Sequence, residues 1–146
     1  MLVAKYYTFL VELYLAFVWV FYAALEGHRE AWHWYYKTIA NNEDKTPAHA
    51  VFTIQRALVG LVIFQFHYIV LNGDFGWNLI AFMVLSFPFI HDGYYYWHRD
   101  MLKPGTYPKR FFDHSKTSTA FFTKYFPASV RIACFIIAVL CIIFKF

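Results

Sequence analysis

The chain has 146 residues, of which 60% are hydrophobic, 24% aromatic and only 15% charged, with a formal net charge of +4. A soluble domain carries about a quarter charged residues, and 18 Phe, 12 Tyr and 5 Trp would leave a water-soluble globule with large exposed apolar patches. Disordered chains, disulfide-stapled secreted domains and ordinary cytosolic enzymes are excluded on this balance.

Four apolar stretches follow in chain order, at about 7–25, 51–71, 75–91 and 129–146. Each approaches the roughly 17–25 residues that a helix needs to cross a bilayer core of ~30 Å. The first is too long and bulky for a cleaved signal peptide, and Glu12 interrupts it. The second contains Arg56, Gln65 and His67, and Thr46-Pro47 precedes it as a helix-start signal. Asn72-Gly73-Asp74 is a turn that makes helices 2 and 3 a tight hairpin. Pro88 interrupts the third stretch and Pro127 precedes the fourth. Alternating barrel-type patterning is missing. The expected fold is therefore all-α: one integral membrane four-helix bundle over 1–146, with aromatic-rich helical segments at the interface.

Two longer connections, about 26–46 and 92–128, fall on one side of such a bundle. Counted through Arg131 in the first turn of the last helix, they carry ten of the thirteen Lys and Arg residues. The positive-inside rule places them in the cytoplasm of a plasma-type or inner membrane, with both termini outside. That placement accounts for the basic charge as topology and attraction to anionic headgroups, and argues against nucleic acid as a partner. Trp32, Trp34, Tyr35 and Tyr36, and then Tyr94 to Trp97, read as interfacial belts. Helices 1 and 3 are thus expected to continue past the hydrocarbon. The segment 107–126, half polar and half aromatic, is expected to lie on the membrane surface.

Three sets of residues could carry chemistry. Glu12, Gln65 and His67 lie at similar depth and are expected to form an intramembrane polar cluster, as interhelical glue or as a proton or ion path. Arg56 is expected to pair with Asp92 across helices 2 and 3. Six of the seven histidines fall at the two cytoplasmic connections, where imidazole and carboxylate together suit iron or zinc. Cys134 and Cys141 are ~10 Å apart along one helix face and are expected to stay reduced.

At Tyr94 to Arg99 the run YYYWHR resembles the membrane fatty-acid hydroxylase and sterol desaturase superfamily. The resemblance implies four helices and a di-iron centre held by histidine boxes on the cytoplasmic face. His98 would match a box histidine, with His28, His33, His91 and His114 as companions. The chain has no His-His pair and no HxxHH box. The leading expectation is a small polytopic membrane protein that acts by assembly or interaction, as an oligomeric pore, a membrane-perturbing factor or an accessory subunit. Its partners would be the bilayer, copies of itself or another membrane protein. A histidine-cluster metal oxidoreductase and a path through Glu12 and His67 are the alternatives.

Overall fold

The computed structural model describes residues 2–39, 49–73, 75–105 and 127–144. Among them are four helices and no strand: α1 (Leu2–Thr38), α2 (His49–Val70), α3 (Trp77–Leu102) and α4 (Ala128–Phe144). At ~1.5 Å per residue they are about 55, 33, 39 and 25 Å long. Both α1 and α2 are long and apolar enough to cross a membrane. The helix-start signal at Thr46-Pro47 and the segment 107–126 lie outside the described residues.

Helix α3 is the spine. It packs along α1 on one flank and along α4 on the other. Helices α1 and α3 run parallel with a nearly constant offset of about 64 residues. Trp19 Nε1 donates to the Met83 carbonyl at 3.0 Å, and two turns on, Gly27 faces the His91 carbonyl. Further along still, Trp34 meets Arg99. This long contact depends on a stripe of small residues, Ala16, Ala23, Gly27 and Ala31, all buried on α1. A Cβ on Gly27 would collide with the His91 carbonyl oxygen and lie 3.1 Å from the Tyr95 nitrogen. Only glycine allows this approach. The pattern Ala23-x3-Gly27-x3-Ala31 is the small-residue spacing by which helix backbones come close without large side chains between them.

The turn after α2 is tight, with Asn72 and Gly73 both at positive φ. The packing, however, does not form the hairpin expected from it. Helix α2 touches both α1 and α3 sparingly, because the small-residue stripe gives the close approach to α1 and α3 instead. Gly76 (φ +55) then starts α3 directly against the His67 ring, where a Cβ would lie 2.6 Å from Nδ1. The two residues after Asp74 therefore precede the helix, which starts at Trp77 and not at residue 75.

Pro88 lies inside α3 and removes the N–H that would bond to the Val84 carbonyl. Trp19 donates to the adjacent Met83 carbonyl. An indole thus supplies a second donor where the ladder is weakest. The apolar core gathers around it: Leu15, Ala16, Trp19, Ile63, Leu79, Phe82, Met83, Ala138 and Ile142. Outside that core the surface is unusually apolar. Leu10, Tyr14, Phe17 and Phe21 on α1, Ile54, Leu58 and Leu61 on α2, and Ile136 and Ile143 on α4 are all exposed. The two cysteines are half-buried free thiols on α4.

Candidate functional site

Several of the scarce charged residues are turned inward at one end of the helices. Arg56 of α2 donates from Nε to Glu26 Oε1 at 2.9 Å and from Nη2 to Glu30 Oε1, joining two carboxylates one turn apart on α1. His91 of α3 lies 3.4 Å from Glu30 Oε2 and 3.3 Å from Arg56 Nη2. Its other ring nitrogen is 3.1 Å from Asp92 Oδ1. Asp92 then accepts from Arg131 of α4 at 3.5 Å. Glu26, His91 and Arg131 are buried. The result is one chain of ionic contacts that touches all four helices.

The expected Arg56–Asp92 pair is corrected by this arrangement. Arg56 faces α1, since α2 lies along α1 through Ile63 and His67, and Asp92 turns to α4. His91 stands between them. Aromatic faces complete the setting. The His91 ring stacks on Phe87 at 4.8 Å and on Tyr95 at 6.3 Å, and the Arg56 guanidinium sits 5.0 Å over Phe87. A guanidinium on a ring face retains favourable electrostatics where water is scarce. Gln55 accepts from Arg29 at 3.1 Å, and the Arg29 guanidinium lies 4.9 Å over the buried Phe52 ring, so this end of α2 is fastened to α1 by polar side chains and one aromatic ring.

The second polar site lies at the opposite end of the same α1/α2 seam. His67 Nε2 is 3.6 Å from Glu12 Oε1, with both side chains buried. Gln65 does not join them; it is exposed on the other face of α2. Residues 56 and 67 are three turns apart, so Arg56 and His67 share one stripe, and Gln65, 200° round from His67, cannot. Between the two polar sites lies an apolar layer that includes Leu15, Trp19 and Ile63.

Beyond the ionic chain, the far ends of α1 and α3 are joined by rings. Arg99, buried, lies 3.7 Å over the Trp34 ring and donates to the Tyr95 hydroxyl at 2.7 Å. Burial pushes the Tyr95 hydroxyl up to about 12 and draws the Arg99 guanidinium below its ordinary value. The His28 and His98 rings sit 3.7 Å apart, centre to centre, and Trp32 Nε1 is 3.2 Å from His28 Nε2. An indole nitrogen only donates. His28 Nε2 is therefore the acceptor of this pair.

The His98 ring is kept below the ordinary histidine value, first by burial and then by its neighbour His28. The sign of the pH effect follows. A histidine whose folded pKa is depressed binds protons better when the joint opens. Its contribution is present above the unfolded value of about 6.5 and is lost as pH falls from there toward the depressed one. Protection of the amides at the ends of α1 and α3, taken relative to their intrinsic exchange rate at each pH, is expected to fall between pH 7 and pH 5, and His98→Gln to flatten that dependence. An equal pH dependence in both proteins would contradict it.

Of the five histidines considered as metal ligands, the four among the described residues are not gathered into one group. His28 faces His98, His33 packs edge-on against Phe52 at 6.0 Å, and His91 is engaged in the ionic chain. His114 lies outside the described residues. Among the described residues, no three of His, Cys, Asp and Glu converge as metal ligands would. Sequence reasoning missed Glu26, Glu30 and Arg131 as members of the ionic chain. The available signal was Glu26 and Glu30 at i, i+4 on a helix continuing past the expected span, a spacing that puts two carboxylates on one face. No protein-family model, curated protein or solved structure matches the chain.

Proposed function

We propose that the chain is a small polytopic membrane protein that crosses the bilayer with all four helices and works by lateral assembly. The connections 26–46 and 92–128 would face the cytoplasm and both termini the opposite side. The observation that supports this reading is the inverted distribution of side chains. Glu26, His91, Arg131, Glu12 and His67 are buried, while Leu10, Phe17, Leu58, Leu61, Ile136 and Ile143 are exposed. In water this arrangement would cost stability twice, through desolvated charges and through hydrated apolar surface. In lipid the outer faces are already in their preferred solvent, and the inward charges satisfy one another.

A span of ~30 Å uses a little over half of α1's ~55 Å. The rest, with the aromatic joint of Trp32, Tyr36 and Trp97 partly exposed, would reach through the headgroups. Two measurements test the reading on the full chain. The protein is expected to stay with membranes through alkaline carbonate washing, and to show more than one copy per particle by photobleaching in lipid nanodiscs. Release by carbonate, or single copies at every protein-to-lipid ratio, would overturn it.

A further inference from the structure

Helix α2 carries an outward face with an internal order that its loose docking on α1 does not use. Ile54, Leu58, Leu61, Gln65 and Tyr68 follow one another at spacings of four, three, four and three residues. All five are exposed, Ile54 at 60% and Tyr68 at 47%. This alternation keeps one stripe facing a neighbour in left-handed helix pairing. The opposite stripe, Phe52, Arg56, Ile63 and His67, is the one that faces the rest of the chain.

Gln65 decides what covers the face. Its depth on α2 is close to that of His67, at the level of Glu12, which on the membrane reading lies within hydrocarbon. A carboxamide there has two N–H donors and one acceptor oxygen to satisfy, and lipid tails offer nothing. It is also self-complementary: two glutamine side chains facing each other can each donate to the other's oxygen. Copies inserted with the same orientation have parallel α2 helices, and a two-fold axis along the membrane normal brings Gln65 opposite Gln65 at equal depth. A neighbour of different sequence would need its own amide at that level; a second copy has one by construction.

We propose that α2 pairs with α2 of a second copy along Ile54, Leu58, Leu61, Gln65 and Tyr68, with reciprocal Gln65 hydrogen bonds fixing the register. The proposal rests on the membrane-assembly reading and names its surface. A single polar residue in an otherwise apolar seam is a known means of specifying register and copy number.

The test uses the full chain in lipid vesicles, with donor- and acceptor-labelled copies mixed over a range of protein-to-lipid ratios. Gln65→Leu is expected to raise the apparent dissociation constant about tenfold, the effect of removing an interhelical amide bond of roughly 1–2 kcal/mol. Gln65→Asn is expected to stay within about threefold of the parent. Leucine is well tolerated at an exposed helical position, so the first variant should keep its fold. In a background with Cys134→Ala and Cys141→Ala, Leu61→Cys is expected to cross-link rapidly between copies. Phe66→Cys, exposed but about 120° off the seam, is expected to cross-link slowly. Unchanged association in Gln65→Leu, or cross-linking at 66 as fast as at 61, would overturn the α2 pairing while leaving assembly itself standing. Absence of any energy transfer between parent copies would remove both.

Discussion

Replacing Arg56 by methionine is expected to destabilise the fold by about 3 kcal/mol, at the low end of the 3–5 kcal/mol that follows breaking a buried ion pair. Arg56 is the contact through which α2 holds both Glu26 and Glu30. Methionine keeps the length and removes the charge, which leaves a carboxylate of 1% side-chain exposure without its main cation. Arg29 approaches Glu26 at 3.5 Å, but its own side chain is 47% exposed and screened by solvent. The Arg56 side chain is itself 26% exposed, which is why the lower figure applies. In mild detergent, thermal unfolding should fall by about ten degrees for a chain of this size.

The double variant Arg56→Met with Glu26→Gln separates mechanisms. If the cost is an uncompensated buried charge, neutralising Glu26 should recover more than half of it. If the cost were lost packing over Phe87, the second change would add to the first. An Arg56→Met protein within ~0.5 kcal/mol of the parent would show that the ionic chain contributes little to holding α2.

The second large effect is at Gly27. Glycine in a helix interior is about 1 kcal/mol worse than alanine, so Gly27→Ala should stabilise if only propensity mattered. The added Cβ would run into the His91 carbonyl oxygen and lie 3.2 Å from Tyr94 Cβ. Backbone on a packed helix cannot swing aside as a flexible side chain can. Separating α1 from α3 is expected to cost about 1–3 kcal/mol net, as overpacked cores do. Gly60 supplies the control, because a Cβ there meets only Trp19 Cζ3 at 3.9 Å, an ordinary contact. Gly60→Ala should be neutral or stabilising by up to ~1 kcal/mol. Equal unfolding midpoints for the two variants would contradict the close-approach account.

The contrast between those glycines also marks what could be read from the residues alone. Helical character, the turn at Asn72-Gly73 and the continuation of helices 1 and 3 past residues 25 and 91 follow from local pattern, and local pattern suffices for them. Pairing does not. The turn at Asn72-Gly73 says that α2 and α3 are joined and nothing about whether they pack, whereas Ala23-x3-Gly27-x3-Ala31 selects α3 as the neighbour of α1 from 64 residues away. Depth along the helices put His67 level with Glu12 and Gln65 level with both. Depth carries no azimuth, and the 200° between Gln65 and His67 separates inward from outward. By the same one-dimensional logic, Arg56 would pair with Asp92. Which helix it faces is fixed by the stripe it shares with Ile63 and His67, and His91 occupies the space between.

The parallel register of α1 and α3 has a consequence for biogenesis. The small-residue stripe and Glu30 of α1 find their α3 partners only after about 64 more residues have been made. At roughly 5–20 residues per second of synthesis, that is a delay of about 3–13 s. Within this interval α2 is the one described helix that α1 is able to meet, and the contacts it offers include Arg56 with Glu26 and Glu30, and His67 with Glu12. The two polar ties are therefore among the first contacts between helices that the growing chain is able to make. The apolar spine closes over them once α3 has been synthesised.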